Sequence, residues 1–231
     1  MLTVCGEKLV LPTSDPGVRT ATGHRRFLIG LDLGQAQDPS AYVVMRDEAI
    51  PEWHTSITQR LGERQRTVVA ADRIRDTSYV EVARIAGALM ASSAIAGRCH
   101  LCIDATGVGR AFGDVLDEMG IKHTKLQMVG GMSENRDGRF WNVSKNRLMA
   151  GLNGALHTRK LTLGAFDQRD ALAQEFSSFQ VTWSAAGNMR LEGGDDEGHA
   201  DMVIATAMAW WLSDSRGLNN HFDSGRLYGW W

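Results

Sequence analysis

The sequence lacks the features that mark secreted, membrane-spanning and strongly basic proteins. It has only three cysteines, at positions 5, 99 and 102 of 231 residues, and this low, odd number fits a reducing compartment. No apolar run is long enough to cross a membrane, and the N-terminus has no signal-peptide pattern. The formal net charge of −2 argues against a histone-like protein, although local basic patches still allow DNA binding.

Two short functional motifs are also missing or incomplete. No phosphate loop of the form GxxxxGK[ST] occurs, so we expect no ATPase activity from this sequence. Cys99 and Cys102 have the CxxC spacing, but a strand would send them to opposite faces, and no second cysteine pair completes a zinc site. We interpret both cysteines as buried thiols.

The sequence does contain enough apolar material for a folded core. Hydrophobic residues make up 43% and charged residues 23% of the chain, which suits one large α/β domain with extensions. We expect an N-terminal arm at 1–25, a folded domain at 26–214 and a C-terminal tail at 215–231. The arm is punctuated by proline, serine and threonine, and the tail is rich in glycine, asparagine and tryptophan.

Apolar runs and helical patterns alternate along the central domain. A polar segment at 130–141 is predicted to be a flexible connection. A β-hairpin is predicted at 179–182 and 189–191, just before the last helix. The other predicted strands lie near 27–33, 41–45, 67–71, 99–104 and 124–129, and the predicted helices near 80–89, 115–119, 143–158, 167–178 and 199–213. This order predicts a mixed sheet with helices on its faces.

Three aspartates, Asp32, Asp104 and Asp201, lie at the edges of separate apolar runs. A carboxylate beside a buried strand is costly unless something neutralises it, and three converging carboxylates favour hard divalent cations. Metal-assisted phosphodiester chemistry is the leading use of such a site. Taken singly, Asp32 could cap a turn, Asp104 could be the N-cap of the next helix, and Asp201 could be a first-turn residue that the helix dipole favours. Their joint occurrence favours the catalytic interpretation.

Several segments that contain these aspartates occur in a characteristic order. They are Gly30-Leu31-Asp32-Leu33-Gly34 with Asp38-Pro39-Ser40-Ala41, then Ile103-Asp104-Ala105-Thr106-Gly107-Val108-Gly109, then His199-Ala200-Asp201-Met202-Val203-Ile204-Ala205. Over residues 27–213 the set resembles the nuclease domain of phage terminase large subunits, in the ribonuclease H-like (resolvase-like) superfamily. The resemblance implies an α/β fold with a ribonuclease H-like mixed sheet, flanking helices and a β-hairpin before the last helix.

The resemblance also implies a metal-dependent endonuclease that cuts concatemeric double-stranded viral DNA during genome packaging. Asp32, Asp104 and Asp201 would be the catalytic metal ligands in a two-metal site for Mg²⁺ or Mn²⁺, with Asp32 bridging both ions. Ala200 stands where the family often has a second acid, so the second ion has fewer ligands. Water or the acidic loop, through Asp195 or Asp196, could supply the difference.

Two further residues, Asp38 and His199, lie close in sequence to these motifs. Asp38 precedes Pro39 and fixes the hairpin turn or orients a ligand of the site. His199 could equally face solvent, cap the last helix or act in the site, and Asp196 shares the supporting role.

Basic residues near 136–147 are candidates for DNA binding. Lys145 and Arg147 are predicted in the first turn of a helix, where cations are mildly unfavourable, and this favours contact with a phosphate backbone. Arg136 and Arg139, in the preceding segment, could extend the same patch.

The implied partners are double-stranded DNA, a packaging ATPase domain, the small terminase subunit and the portal, with no membrane. The implied location is the cytoplasm of an infected or lysogenic bacterial host. Other interpretations are a Holliday-junction-type resolvase on the same fold, which would prefer branched DNA, and a catalytically silent scaffold of the packaging motor, which would not bind metal. An actin- or hexokinase-like nucleotide-binding protein would need a second glycine motif and a longer chain.

Overall fold

The computed structural model describes residues 6–34, 38–131, 133–178, 180–183, 189–192 and 200–214. The strands are β1 Glu7–Val10, β2 Thr22–Asp32, β3 Ser40–Ala49, β4 Pro51–Thr55, β5 Thr58–Leu61, β6 Gln65–Ile74, β7 Cys99–Asp104, β8 His123–Val129, β9 Glu134–Asp137, β10 Phe140–Ser144, β11 Leu161–Leu163, β12 Gln180–Trp183 and β13 Met189–Glu192. The helices are α1 Tyr79–Ala91, α2 Gly109–Glu118, α3 Lys145–His157, α4 Arg169–Ser178 and α5 Asp201–Asp214. Among the described residues, no helix is both long and apolar enough to span a membrane.

The main sheet is mixed and has the order β11-β6-β3-β2-β7-β8-β10-β9, with β1 also paired to β2. Strands β2, β3 and β6 are antiparallel neighbours. A short connection joins β2 to β3, and the β4–β5 hairpin lies between β3 and β6. Strands β7 and β8 run parallel to β2, because α1 and α2 carry the chain back across the sheet. This arrangement confirms the predicted mixed α/β sheet and places β2 near its centre.

Successive side chains of β2 point to opposite faces of the sheet, so the core has two layers. Leu28 packs in the layer that contains α5, whereas Ile29 and Leu31 pack in the layer that contains α1 and α2. Gly30 faces α5, and a Cβ atom there would lie 1.9 Å from the carbonyl oxygen of Ala205. Helix and strand therefore approach so closely that glycine is required at this position.

Helix α5 lies along β2 on one face of the sheet. Its 14 residues extend about 21 Å, which matches the roughly 20 Å of strand between Arg26 and Asp32. At the C-terminal end of α5, Arg26 Nη2 donates to the carbonyl oxygen of Ser213 at 3.0 Å. The N-terminal residue of α5, Asp201, is consequently brought to the end of the strand that carries Asp32.

The structure confirms both predicted hairpins, because β2 pairs with β3 and β12 pairs with β13 in antiparallel register. It also confirms the predicted strands at positions 67–71, 99–104 and 124–129, and each predicted helix has a counterpart. The expected N-cap of α1 is present, since Ser78 Oγ accepts from the backbone N–H of Glu81 at 3.3 Å.

The prediction of a flexible connection at 130–141 is wrong. Strands β9 and β10 form a hairpin there, and β10 adds in parallel to β8. The segment is mostly polar, but it contains Trp141. The Trp141 ring packs edge-to-face against Trp211, with ring centroids 5.6 Å apart. This hairpin brings two of the candidate DNA-binding residues, Arg136 and Arg139, to the edge of the sheet, whereas Lys145 and Arg147 lie in the first turn of α3.

Part of the segment that we assigned to an arm at 1–25 belongs to the sheet. Strand β1 pairs with the start of β2, which begins at Thr22. Glu7 fixes this pairing through ion pairs with Arg25 at 3.4 Å and Arg98 at 2.6 Å. The expected tail at 215–231 lies outside the described residues.

Candidate metal centre

The three candidate aspartates meet at one edge of the central sheet. Asp32 ends β2 and Asp104 ends β7, and these neighbouring strands run parallel with Leu31 opposite Ile103. The next residue of each strand is therefore the carboxylate, and both stand at the same edge. Asp201 begins α5 above that edge, close enough for its charge to act on Asp32.

The charges of the other two acids affect the pKa of Asp32. Its pKa is raised well above the model-compound value of 3.8, mainly by burial and then by the charges of Asp104 and Asp201. The backbone N–H of Leu33 and the charge of Lys145 act in the opposite direction but do not outweigh these causes. As whole residues, the three acids are half-buried. One carboxylate oxygen of Asp201, Oδ2, is buried.

Asp104 is held by the turn that follows β7. Burial raises its pKa, while its hydrogen bonds with Thr106 and the charge of Lys145 lower it. Its Oδ1 accepts from the backbone N–H of Thr106 at 2.8 Å. The alternative that Asp104 is the N-cap of the next helix is wrong, because the N-cap of α2 is Val108. One carboxylate oxygen of Asp104 is thus fixed locally, and this orients the group.

Asp38 lies in the turn between β2 and β3, and its side chain is exposed. Gly34 holds this turn: its N–H donates to Ser40 Oγ at 3.2 Å, and Tyr79 Oη donates to its carbonyl oxygen at 3.0 Å. A Cβ at Gly34 would lie 2.0 Å from the carbonyl oxygen of Asp38, so the turn itself is tight. These contacts hold Gly34 at the turn, and the role of the Asp38 side chain stays a prediction.

The donors at this edge have the chemistry of a site for a hard divalent cation. All are carboxylate oxygens, which Mg²⁺ and Mn²⁺ prefer, and a cation would offset both their burial and their mutual repulsion. Within the part of the chain that the structure describes, no group of three or more histidine, cysteine, aspartate or glutamate side chains is arranged to hold a metal ion, so the three aspartates do not form a ready-made three-ligand site. The carboxylates fit an ion that also takes ligands from water or substrate, as Mg²⁺ usually does. Asp195, Asp196 and His199 lie outside the described residues.

The four candidate DNA-binding residues differ in their surroundings. Lys145 is exposed at the start of α3, and its charge lowers the pKa of both Asp32 and Asp104. The guanidinium groups of the other three have protein partners: Arg147 pairs with Glu134 at 2.6 Å, Arg139 with Asp117 at 3.4 Å, and Arg136 lies over the Trp141 ring at 5.9 Å. Lys145 therefore stands beside the acids, and the arginines line the adjoining hairpin.

The sequence interpretation missed Glu175 of α4, which lies behind the acid cluster. Its side chain is fully buried and forms an ion pair with Arg73 of β6. Burial raises its pKa, as does the charge of Asp201, whereas Arg73 and the backbone of Val203 lower it. A signal was available in the sequence, because Glu175 falls beside Leu172 and Phe176 on the apolar stripe of α4.

The protein has the fold of solved phage large terminase nucleases. The magnesium-bound large terminase nuclease of thermophilic phage G20c is 21% identical, with 88% of this chain and 86% of that chain covered and a TM-score of 0.57. A cobalt-bound structure of the same nuclease gives 21% identity, coverage of 87% and 91%, and a TM-score of 0.56. The nuclease domain of the Thermus phage P74-26 large terminase gives 19% identity, coverage of 89% and 85%, and a TM-score of 0.56.

A scan against models of protein families and a search of curated protein sequences find no match. The structural likeness therefore stands on the arrangement of the chain rather than on its sequence. It confirms the predicted α/β fold with a mixed sheet and flanking helices.

Proposed function

We propose that this chain is a metal-dependent endonuclease of the phage terminase type, which cuts concatemeric double-stranded viral DNA during genome packaging. The observation that carries the proposal is the placement of Asp32, Asp104 and Asp201 at one edge of a sheet with the terminase nuclease fold. The solved G20c nucleases with magnesium and cobalt support the use of a divalent ion.

The three aspartates would share two ions of Mg²⁺ or Mn²⁺. Asp32 is the candidate to bridge them, since the charges of both other acids act on it. Asp104 presents a carboxylate that Thr106 holds in place, and Asp201 presents one from the start of α5. When bound, such ions supply Lewis acidity that lowers the pKa of water and offsets charge on the phosphate. The carboxylates must be ionised to bind them, so protons and metal compete for the site.

The surface beside the acids fits a phosphate backbone. Lys145 is placed to contact a phosphate near the scissile bond, because it is exposed and acts electrostatically on two of the acids. Arg136, Arg139 and Arg147 would extend the contact along the β9–β10 hairpin. A packaging ATPase domain, the small terminase subunit and the portal are the proposed partners, in the cytoplasm of an infected or lysogenic host.

The test is plasmid nicking by Asp32→Asn in the presence of Mn²⁺. Loss of the bridging ligand should reduce the rate by more than about 100-fold, beyond the range found for residues that only support metal ligands. Circular dichroism should show an intact fold. Asp170→Asn is the control, because it removes an exposed carboxylate of α4, and its rate should stay near that of the wild type.

Normal nicking by Asp32→Asn would contradict the assignment of the site. Cleavage that survives EDTA would contradict metal dependence. A strong preference for four-way junctions over linear duplex would indicate a resolvase instead.

A further inference from the structure

The N-cap residue of α5 is an alanine, whose side chain has no hydrogen-bond acceptor. The N–H of Ile204 donates to the carbonyl oxygen of Ala200 at 3.0 Å, so Ala200 occupies the N-cap position. The N–H of Val203, three residues later, is one of the donors that a helix leaves without an internal partner. A serine, threonine, asparagine or aspartate at the N-cap would accept from it, but alanine has no acceptor.

Glu175 supplies this cap from a different helix. Its Oε2 accepts from the backbone N–H of Val203 at 3.1 Å, in fully buried surroundings. Its Oε1 accepts from Nη2 of Arg73, so both oxygens of the carboxylate are used. A carboxylate can accept on both oxygens at once, and its charge is favourable at a helix N-terminus.

Arg73 connects this capping contact to the row of residues, paired across neighbouring strands, that contains Asp32. In the sheet, Asp32 stands opposite Ala41 of β3, and Ala41 stands opposite Arg73 of β6. Side chains in one such row lie on the same face of the sheet. The Arg73–Glu175 pair therefore links the start of α5 to the row of Asp32, with only Ala41 between.

We propose that Glu175, oriented by Arg73, is a positioning residue that sets the place of Asp201 relative to Asp32 and Asp104. Asp201 lies only two residues before Val203, so any shift of this turn moves its carboxylate. Residues that orient metal ligands commonly change metal affinity by about 10- to 100-fold when they are removed. The inference rests on the proposed function for its effect on metal, but the capping contact can be tested without metal.

The test compares the wild type with the double variant Arg73→Met/Glu175→Met, which removes both members of the buried pair together. Amide hydrogen exchange in the metal-free protein should speed up at residues 201–204 and stay unchanged at 209–213. By calorimetry, the Kd for Mn²⁺ should rise about tenfold. The Mn²⁺ concentration for half-maximal cleavage should rise by the same factor, with a smaller change in the rate at saturating Mn²⁺.

Two further variants separate positioning from general loss of stability. Ala200→Ser, added to the double variant, supplies a local N-cap and should return both the exchange and the Kd toward wild-type values. Ser213→Ala, at the opposite end of α5, should lower the melting temperature and leave the Kd for Mn²⁺ unchanged.

Unchanged exchange at 201–204 in the double variant would overturn the capping role. Faster exchange with an unchanged Kd would overturn the role in positioning Asp201. If the wild type neither binds Mn²⁺ nor cuts DNA, the proposed function fails, and the exchange data alone then decide whether Glu175 holds the turn.

Discussion

The two ends of the β2–α5 pair contain buried aspartates whose pKa values are shifted in opposite directions. At one end, Asp47 is fully buried and accepts from Arg26 Nε and Arg64 Nε, each at 2.7 Å. Burial by itself would raise its pKa, but the hydrogen bond from Arg64 and the charges of both arginines lower it to about 2. At the other end, burial and the charges of Asp104 and Asp201 raise the pKa of Asp32 well above 3.8.

Both aspartates are buried, so the difference between their pKa shifts comes from the charged groups beside them. Arginines neutralise Asp47 from within the protein and also hold the end of α5, because Arg64 Nη2 donates to the carbonyl oxygen of Ser213 at 2.7 Å. At that end, the protein itself supplies the counter-charges of Asp47. The Asp32 end gathers like charges that repel one another, and an external cation would relieve this repulsion. One end thus serves stability, and the other is suited to binding.

The largest expected effect lies at the arginine end. Asp47→Asn leaves Arg26 buried without its counter-charge, and breaking a buried pair in this way costs about 3–5 kcal/mol. Denaturant unfolding should show a loss of this size in the free energy of unfolding. Asp32→Asn should show no loss in the absence of metal, and a small gain, because it relieves repulsion. Equal losses for the two variants would contradict the distinction between the ends.

Mn²⁺ should act on one end alone. A ligand that binds only the folded state stabilises it by about 2.7 kcal/mol at 100 times its Kd. The melting temperature of the wild type should rise with Mn²⁺, and the rise should disappear in Asp104→Asn and Asp201→Asn. A surface aspartate offers a control: Asp170→Asn, which removes an exposed carboxylate of α4, should keep the rise. A rise that survives in all of these variants would place the metal elsewhere.

The pH dependence of stability should have opposite signs at the two ends. The pKa of Asp47 is about 2 in the folded protein, below 3.8, so its contribution is present above pH 3.8 and is lost as pH falls toward 2. The pKa of Asp32 is raised, so the stability it adds is present below 3.8 and is lost as pH rises through the raised value. Without metal, the advantage of Asp32→Asn over the wild type should therefore grow with rising pH.

Thermal melts of both proteins across this pH range measure the effect. Mn²⁺ should bind more tightly to the wild type as pH rises, because metal competes with protons for the same carboxylates. An advantage of Asp32→Asn that shrinks with rising pH would contradict the raised pKa.

The smallest expected effect concerns the basic residues near the acid end. Lys145→Ala should lower the salt dependence of DNA binding by about one unit of slope, as expected for the loss of one phosphate contact. Arg147→Ala should change it less, because Arg147 pairs with Glu134 in the free protein. Binding titrations at several salt concentrations measure both slopes. A larger change in slope for Arg147→Ala than for Lys145→Ala would indicate that Arg147 makes the main phosphate contact.

Sequence patterns predicted the parts of the fold that bury continuous apolar runs. The strand ending in Asp104 is an apolar run with clear ends, and it was placed at its observed bounds of 99–104. Strands β4 and β5 were missed because their side chains are mostly exposed, Trp53 among them, so no buried stripe marks them. Strand β10 was missed because its apolar residues, Phe140, Trp141 and Val143, do not alternate with polar ones, and because residues from 143 onward were assigned to the following helix.

The site could be predicted only where its residues belong to such runs. Asp32 and Asp104 could be brought together because each follows a buried strand, and parallel neighbours end at the same edge. Glu175 and Arg73 meet through the packing of α4 on the sheet, and no local pattern gives that contact. The pairing of Arg26 with Asp47 likewise depends on strand register, which a single sequence does not specify.

The central claim is that the acid end of the β2–α5 pair binds divalent metal. A crystal soaked in Mn²⁺ and measured for anomalous scattering tests it most directly. Mn²⁺ peaks are expected between Asp32, Asp104 and Asp201, and none beside Asp47. Absence of Mn²⁺ from the three aspartates in a well-ordered soaked crystal, or Mn²⁺ bound only elsewhere, would contradict it.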